Sequence, residues 1–289
     1  MFCTQRRKTP VTASDGFTEV RVAQHYATAN LEQRVLAAFE AAGKPRDGIT
    51  TDDLAVVDEF HIGGREATEA IAAQMHPHPG MHLLDIGCGI GGPARYFASA
   101  HGCRVTGVDL TPEYVRTART LSAVTGASAS VQFEQGSATA LPFEDHSFDA
   151  AYMIHVGMNI QDKAKLFCEA KRVLRSGGIF AIYDVMRIGL GELQYPVPWA
   201  SKADESFVAT VDDYRQALAD EGFAIAAERE RKQFAIDFFA RMRQRNEQFG
   251  PQPLGLHLVM GETATLKVSN VVEGLRRGLI APVEIIARA

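Results

Sequence analysis

Long apolar runs are missing from this chain of 289 residues, cysteine is sparse and tryptophan occurs once. No run approaches the ~18 apolar residues needed to span a bilayer, so no membrane partner is expected. Cys3, Cys88, Cys103 and Cys168 show no C-x-x-C spacing. Such scatter gives neither a zinc site nor a disulfide frame, and it suits four free thiols in a reducing cytoplasm; no metal site is expected. Charge of one sign is not in excess either, because 30 Lys and Arg against 35 Asp and Glu leave a formal −5. That balance offers no basic field to draw nucleic acid. The N-terminal stretch clusters Arg6, Arg7 and Lys8 without the apolar segment of a signal peptide, and residues 1–19 read as a flexible tail. The expectation is a cytoplasmic protein with a small-molecule partner, and homodimerisation as the one self-association to consider.

What is present is an ordinary globular composition, 46% hydrophobic and 22% charged, long enough for a full core. Residues 20–43 have helical spacing and stop at Gly43-Lys44-Pro45. Residues 52–75 hold one or two further helices, interrupted at Gly63-Gly64. From residue 82 short apolar runs alternate with amphipathic stretches, the pattern of a doubly wound sheet. Strands are predicted at 82–86, 104–109, 130–135, 148–156, 178–185, 223–229 and in the final PVEIIARA. Connecting helices are predicted at 92–100, 112–124, 162–174 and 211–221. The second opens on Thr111-Pro112-Glu113, a hydroxyl cap, a first-turn proline and an acid. The third has one apolar face and should close at Gly177-Gly178. The predicted class is therefore α/β, a doubly wound, Rossmann-like, mostly parallel seven-stranded sheet. Its parts are a helical N-terminal cap (20–80), a core (81–232), a helical insertion or lid (233–279) and a last core strand (280–289).

The chemistry centres on Gly87-Cys88-Gly89-Ile90-Gly91-Gly92, between a predicted strand and a predicted helix. Glycines suit a sharp turn whose ligand lies on bare backbone, and a helix N-terminus adds free amides and partial positive charge. Asp109 ends the next strand, where a carboxylate accepts both hydroxyls of an adenosine ribose. Gly87, Gly89 and Gly92 also satisfy G-x-G-x-x-G, so an NAD-dependent oxidoreductase remains an alternative at this point. Two features weigh against it. Asp85, two positions before the first glycine, would crowd a pyrophosphate but suits an ammonium. About eighty residues also precede the strand with which dinucleotide folds usually begin.

LLDIGCGIGGPARYFASAHGCRVTGVDLTPEYVRTAR, LPFEDHSFDAAYMIHV and EAKRVLRSGGIFAIYD, in that order, resemble the class I S-adenosylmethionine-dependent methyltransferases. The resemblance runs from about residue 58 to 188. Within that class DEFHIGGREAT, MNIQDK and YPVPWA are similar to the sarcosine and dimethylglycine N-methyltransferases and, more distantly, to quinone and terpenoid C-methyltransferases. The resemblance implies S-adenosylmethionine as cofactor and S-adenosylhomocysteine as product. It favours N-methylation of a small amine such as sarcosine or dimethylglycine, with C-methylation of a prenyl, terpenoid or quinone acceptor as the alternative.

Carried onto this chain, the resemblance puts Asp85, Gly87 and Gly89 along the methionine part of the donor, approached by Gly63 and Gly64, with Cys88 and Gly91 also among the cofactor-binding residues. Asp109 would hold the ribose, with Leu110 against the adenine, and Ala138 is a further cofactor-binding candidate. The family usually has an acid after a glycine at the third strand's end, to bind the adenine amine; this chain has Gly136-Ser137-Ala138. Ser137 accepts a hydrogen bond there more weakly than a carboxylate. Ile154 and His155 would lie beside the sulfonium and the acceptor. His155 is the candidate general base, or else a packing residue that orients substrate. Tyr26 would close over the methyl group or belong to the core. His61, Met158, Asn159 and Tyr195 are candidate substrate contacts, with His61 open also to assisting the cofactor or capping its turn. Trp199, Tyr26 and Tyr183 would form an aromatic box for an ammonium group, or equally house a prenyl chain.

Overall fold

The computed structural model describes residues 13–27, 29–250 and 252–289. Helices α1 (Ala13–Tyr26), α2 (Leu31–Ala41), α3 (Thr51–Asp58) and α4 (Gly64–Met75) precede the first strand. The sheet and its crossovers follow as β1 (His82–Ile86), α5 (Gly92–His101), β2 (Arg104–Asp109), α6 (Pro112–Val124), β3 (Val131–Gln135) and β4 (Phe148–Ile154). Next come α7 (Lys163–Val173), β5 (Leu174–Arg187), α8 (Val211–Asp220) and β6 (Ala224–Glu230). Helices α9 (Lys232–Phe249), α10 (His257–Met260) and α11 (Ala264–Arg276) lead into β7 (Ile280–Arg288).

These strands form one seven-stranded sheet in the order β3-β2-β1-β4-β5-β7-β6. The pairs from β3 to β5 are parallel, and β7 runs antiparallel between β5 and β6. The α/β doubly wound class read from the sequence is the fold observed. The chain winds outward from β1 to β3 and then returns to the other side of β1. That reversal opens a crevice at the carboxyl ends of β1 and β4, where sheets of this kind bind ligands.

Two buried layers cover the sheet. One packs Leu83, Phe97, Val105, Phe133 and Tyr152, with Ile71 of α4; the other packs Leu84, Phe148, Phe167, Phe180 and Tyr214. Helix α2 buries Leu31, Val35, Leu36 and Phe39, the one-face spacing of an amphipathic helix. That face joins Tyr114 and Leu121 of α6 and Val259 of α10 in a third apolar cluster. The N-terminal cap and the late helices are thereby clasped over the same end of the sheet. Capping boxes at Thr50/Asp53 and Thr210/Asp213 start α3 and α8.

Several boundaries differ from expectation. Helix α1 starts at Ala13, inside the segment read as a tail, and ends at Tyr26 well short of Gly43; residues 1–12 lie outside the described residues. Helix α7 ends at Val173 and passes directly into β5, so Gly177-Gly178 lies within the strand rather than at a helix end. Thr111 does precede α6, but its hydroxyl makes no cap; its amide instead donates to Asp109 Oδ1 at 2.8 Å. Cys88 and Cys103 are free and buried, whereas Cys168 is disulfide-bonded, which corrects the reading of four free thiols. Among the described residues no helix is long and apolar enough to cross a membrane.

Candidate active site

A cavity of about 220 Å³ opens at the carboxyl ends of β1, β2, β3 and β4 and is roofed by α1, α9, α10 and α11. The glycine loop forms its floor. Val108 O accepts from the amides of Gly87 and Cys88 at 2.7 and 3.0 Å, which fixes the turn out of β1. Gly89 has φ +53, and a Cβ there would meet no atom within 4 Å. Its bare backbone thus faces space that a ligand can fill. Asp109 accepts from Gly89 N through Oδ2 at 2.9 Å and from Thr111 N through Oδ1. Each oxygen keeps a second lone-pair direction for a ligand hydroxyl. Burial pushes this carboxyl upward against the pull of the two amides.

Asp85 is buried at the end of β1, and its Oδ2 finds no partner among the described residues. Burial drives its carboxyl well above the usual carboxylate range, a state that an arriving cation would relieve. Nearby Asp58 Oδ2 accepts from Arg95 Nη2 at 2.7 Å, both side chains being fully buried. Arg95 also donates to Ile90 O of the glycine loop at 2.7 Å, to Ser122 Oγ at 3.0 Å and to Ala118 O at 3.3 Å. The loop is therefore braced from behind by a buried guanidinium. Asp58 Oδ1 has no partner among the described residues.

His155 sits just past β4 at φ +56, a left-handed backbone that non-glycine residues adopt rarely and at some cost. It therefore leaves the predicted strand at 148–156 early and turns towards the cavity. Its ring packs against those of Tyr183 and His61, with centroids 5.2 and 5.9 Å away, and those two rings also meet each other at 6.3 Å. Burial and then the neighbouring His61 hold its imidazole well below the ordinary histidine range, and Nε2 has no partner among the described residues. His61 Nε2 meets Gly64 O at 2.9 Å, so that nitrogen carries the proton. Burial lowers His61 to about 4. Glu59 binds Arg65 Nε at 2.6 Å and Thr68 Oγ1 at 2.7 Å, which stiffens the turn that carries His61. On the opposite wall Tyr26 donates to Asn159 Oδ1 at 3.1 Å.

Of the residues expected at the site, Tyr26, His61, Asp85, Gly87, Cys88, Gly89, Asp109, Leu110, Ser137, Ala138, Ile154, His155, Met158, Asn159 and Trp199 all line this one cavity. Five do not. Gly63 serves packing, since a Cβ there would lie 2.5 Å from the Phe234 ring of α9. Gly64 instead supplies the carbonyl that fixes His61. Gly91 packs against Arg95 and Phe133, which a Cβ would meet at 2.7 Å. Tyr183 lies behind His155, donating to Ile62 O at 3.0 Å, and Tyr195 packs in the cluster beneath the loop of Trp199. The aromatic box of Trp199, Tyr26 and Tyr183 is therefore not assembled. Trp199 is buried and donates through Nε1 to Ser206 Oγ at 2.9 Å.

Sequence reasoning missed the far wall. Phe238, Phe239 and Met242 of α9, Val259 and Met260 of α10, and Val268 and Val271 of α11 all face the cavity. Helical spacing of apolar residues was their only signal, and that signal is shared with any core-facing helix. Glu19 of α1 was missed as well, because it lies in the segment read as a tail.

Residues 84–182 match the family model of a methyltransferase domain. A sterol 24-C-methyltransferase of Gibberella zeae is 40% identical over 106 residues, 37% of this chain and 28% of that protein. A phosphoethanolamine N-methyltransferase of Zea mays is 32% identical over 173 residues, 60% of this chain and 34% of that protein. The chain spans 28% to 55% of the length of the first three curated relatives it matches. A geranyl diphosphate C-methyltransferase from Streptomyces coelicolor A3(2) superimposes with a TM-score of 0.68 at 18% identity, covering 97% of this chain and 98% of that one. At such identity the likeness is one of fold.

Proposed function

We propose that this chain, whose residues 84–182 match the family model of a methyltransferase domain, is an enzyme that methylates a small, largely apolar acceptor with S-adenosylmethionine as the donor. The donor supplies a methyl carbon already activated on a sulfonium, so the protein needs no nucleophile of its own. Its task is alignment, which is worth about 7–11 kcal/mol, together with exclusion of water and removal of a proton. Gly87 and Gly89 provide backbone against which the donor lies, Asp109 holds the ribose hydroxyls and Asp85 meets the ammonium. The unpaired Asp85 Oδ2 and the open space over Gly89 support that fit. His155 takes the acceptor's proton on its neutral imidazole, and Tyr26 with Asn159 closes the wall opposite.

The observation that carries the acceptor class is the wall of Phe238, Phe239, Met242, Val259, Val268 and Val271 contributed by α9 to α11. A small zwitterion such as sarcosine or dimethylglycine would leave that apolar wall unused. The charged side chains lining the cavity also weigh against a diphosphate tail, being Glu19, Asp58, Asp85, Asp109 and Asp162 with Lys165. A neutral terpenoid, sterol-like or quinol acceptor fits best, in preference to the small amine that the sequence favours. A labelled-methyl screen of the purified full chain tests this with sterols, terpenoids, quinols, prenyl diphosphates, sarcosine and dimethylglycine. Label is expected in the neutral apolar compounds; label only in the amines or only in the diphosphates would overturn the acceptor class.

The donor assignment has its own test. Asp109→Ala removes the ribose acceptor and also releases the amides of Gly89 and Thr111. Loss of bonds to a charged group, about 1.5–3 kcal/mol, should raise the calorimetric Kd for S-adenosylhomocysteine roughly 10- to 150-fold. An unchanged Kd would remove Asp109 from the donor site.

A further inference from the structure

The end of β3 carries Gly136-Ser137-Ala138, without a carboxylate where the resembled family has one. The fold brings a carboxylate to that point from the other end of the chain. Glu19, on α1, lines the cavity next to Ser137, and its Oε1 accepts from Ser137 Oγ and, at 3.2 Å, from Thr139 Oγ1. Thr139 N in turn donates to Ser137 Oγ at 3.1 Å. Two hydroxyls thus orient one carboxylate oxygen, while Oε2 takes no part in these bonds and is available to an N–H donor.

The rest of α1 shows that this placement follows from the helix as a whole. Glu19, Val22 and Tyr26 fall at i, i+3 and i+7, one helical face, and all three line the cavity. Arg21 and His25 point instead to the segment around Trp199. There Arg21 pairs with Glu205 at 2.7 Å, and His25 Nε2 meets Pro198 O at 2.9 Å. No described side chain of α1 is fully buried; its C-terminal end is anchored by the Tyr26 ring against Phe60 and Tyr114, with centroids 6.4 and 5.8 Å away, while Glu19 faces the cavity.

We infer that Glu19 replaces the missing strand-end acid and reads the donor's adenine amine, so that donor binding draws α1 down over the acceptor end of the cavity. The inference rests on the donor proposed above. Glu19 stands at the adenine end of the helix and Tyr26, bonded to Asn159, at the acceptor end. One rigid helix spans both, so a ligand at the first site stabilises the wall of the second. By linkage the donor-loaded chain should bind the acceptor more tightly, and the acceptor-loaded chain the donor, by the same factor.

Calorimetric titration of the full chain with S-adenosylhomocysteine, and with its analogue lacking the 6-amino group, tests this. Wild type is expected to prefer the amino compound by about tenfold or more, the worth of a hydrogen bond to a charged group. Glu19→Ala should lose that preference through weaker binding of S-adenosylhomocysteine alone, and adding Ser137→Asp should restore it. Amide exchange of residues 13–26 should slow on S-adenosylhomocysteine addition in wild type and not in Glu19→Ala. An unchanged melting temperature of the Glu19→Ala variant ensures that a folded protein is being read. If Glu19→Ala keeps the wild-type preference, the adenine role of Glu19 is wrong while the donor reading stands. If wild type binds neither compound, the donor reading itself fails and takes this inference with it.

Discussion

Replacing His155 by asparagine is expected to lower turnover about 100-fold or more, with the Kd for S-adenosylhomocysteine within twofold of wild type. Asparagine tolerates the φ of +56 at this position, so the loss reads the imidazole rather than the backbone. General-base contributions of ~10²–10⁴ set the scale. The imidazole is already neutral in the fold, because burial and His61 hold it well below the ordinary range. The pH profile of kcat should therefore show no acid limb with a midpoint near ~6.5, the value of an unperturbed histidine. A limb at that midpoint would mean that water reaches the ring freely. Full turnover in His155→Asn, with every acceptor that the wild type methylates, would leave the ring only an orienting role.

The largest effect on stability is expected from Arg95→Met. The Arg95–Asp58 contact of 2.7 Å is wholly buried, and removing one partner strands the other charge, at a cost of about 3–5 kcal/mol. For a chain of this size that corresponds to a melting temperature lower by on the order of 10 °C. The double variant Asp58→Leu/Arg95→Met should lose about 1 kcal/mol less than the two single losses combined, because no isolated charge remains. The effect should also depend on pH. Burial already raises Asp58 to about 6 in the presence of Arg95, and without the guanidinium it rises further. A carboxyl whose folded pKa is raised gives up stability as pH climbs from its unfolded value through its folded one. The Arg95→Met deficit should accordingly be smaller at pH 5 than at pH 8. An equal deficit at both would show that Asp58 has found another partner. Because Arg95 Nη2 also holds Ile90 O, the same variant should weaken donor binding even at temperatures where it is folded.

Legibility followed the range of the interactions involved. The β1, β2 and α6 boundaries agree with the sequence reading residue for residue. There, apolar period, glycine and proline act within a few positions of the residues they govern. The β4 end was misjudged, because nothing local announces that His155 will turn left-handed; the surrounding packing imposes it. The family resemblance places Gly63 and Gly91 at the donor. In the fold each is needed for contact with a side chain, Phe234 or Phe133, that lies far along the chain.

The sequence by itself determined the sheet, the glycine turn after β1, and Asp85 and Asp109 at adjacent strand ends. These depend on local periodicity and on backbone that only glycine adopts readily, and both are written in consecutive residues. Only the tertiary structure decided what roofs the cavity. The apolar wall of α9 to α11 over the glycine loop, Glu19 on Ser137 and Thr139, and the tie of Tyr183 to Ile62 O all join segments separated by a hundred residues or more. Helical periodicity states that a face will be buried, but what it is buried against is set by how the caps pack.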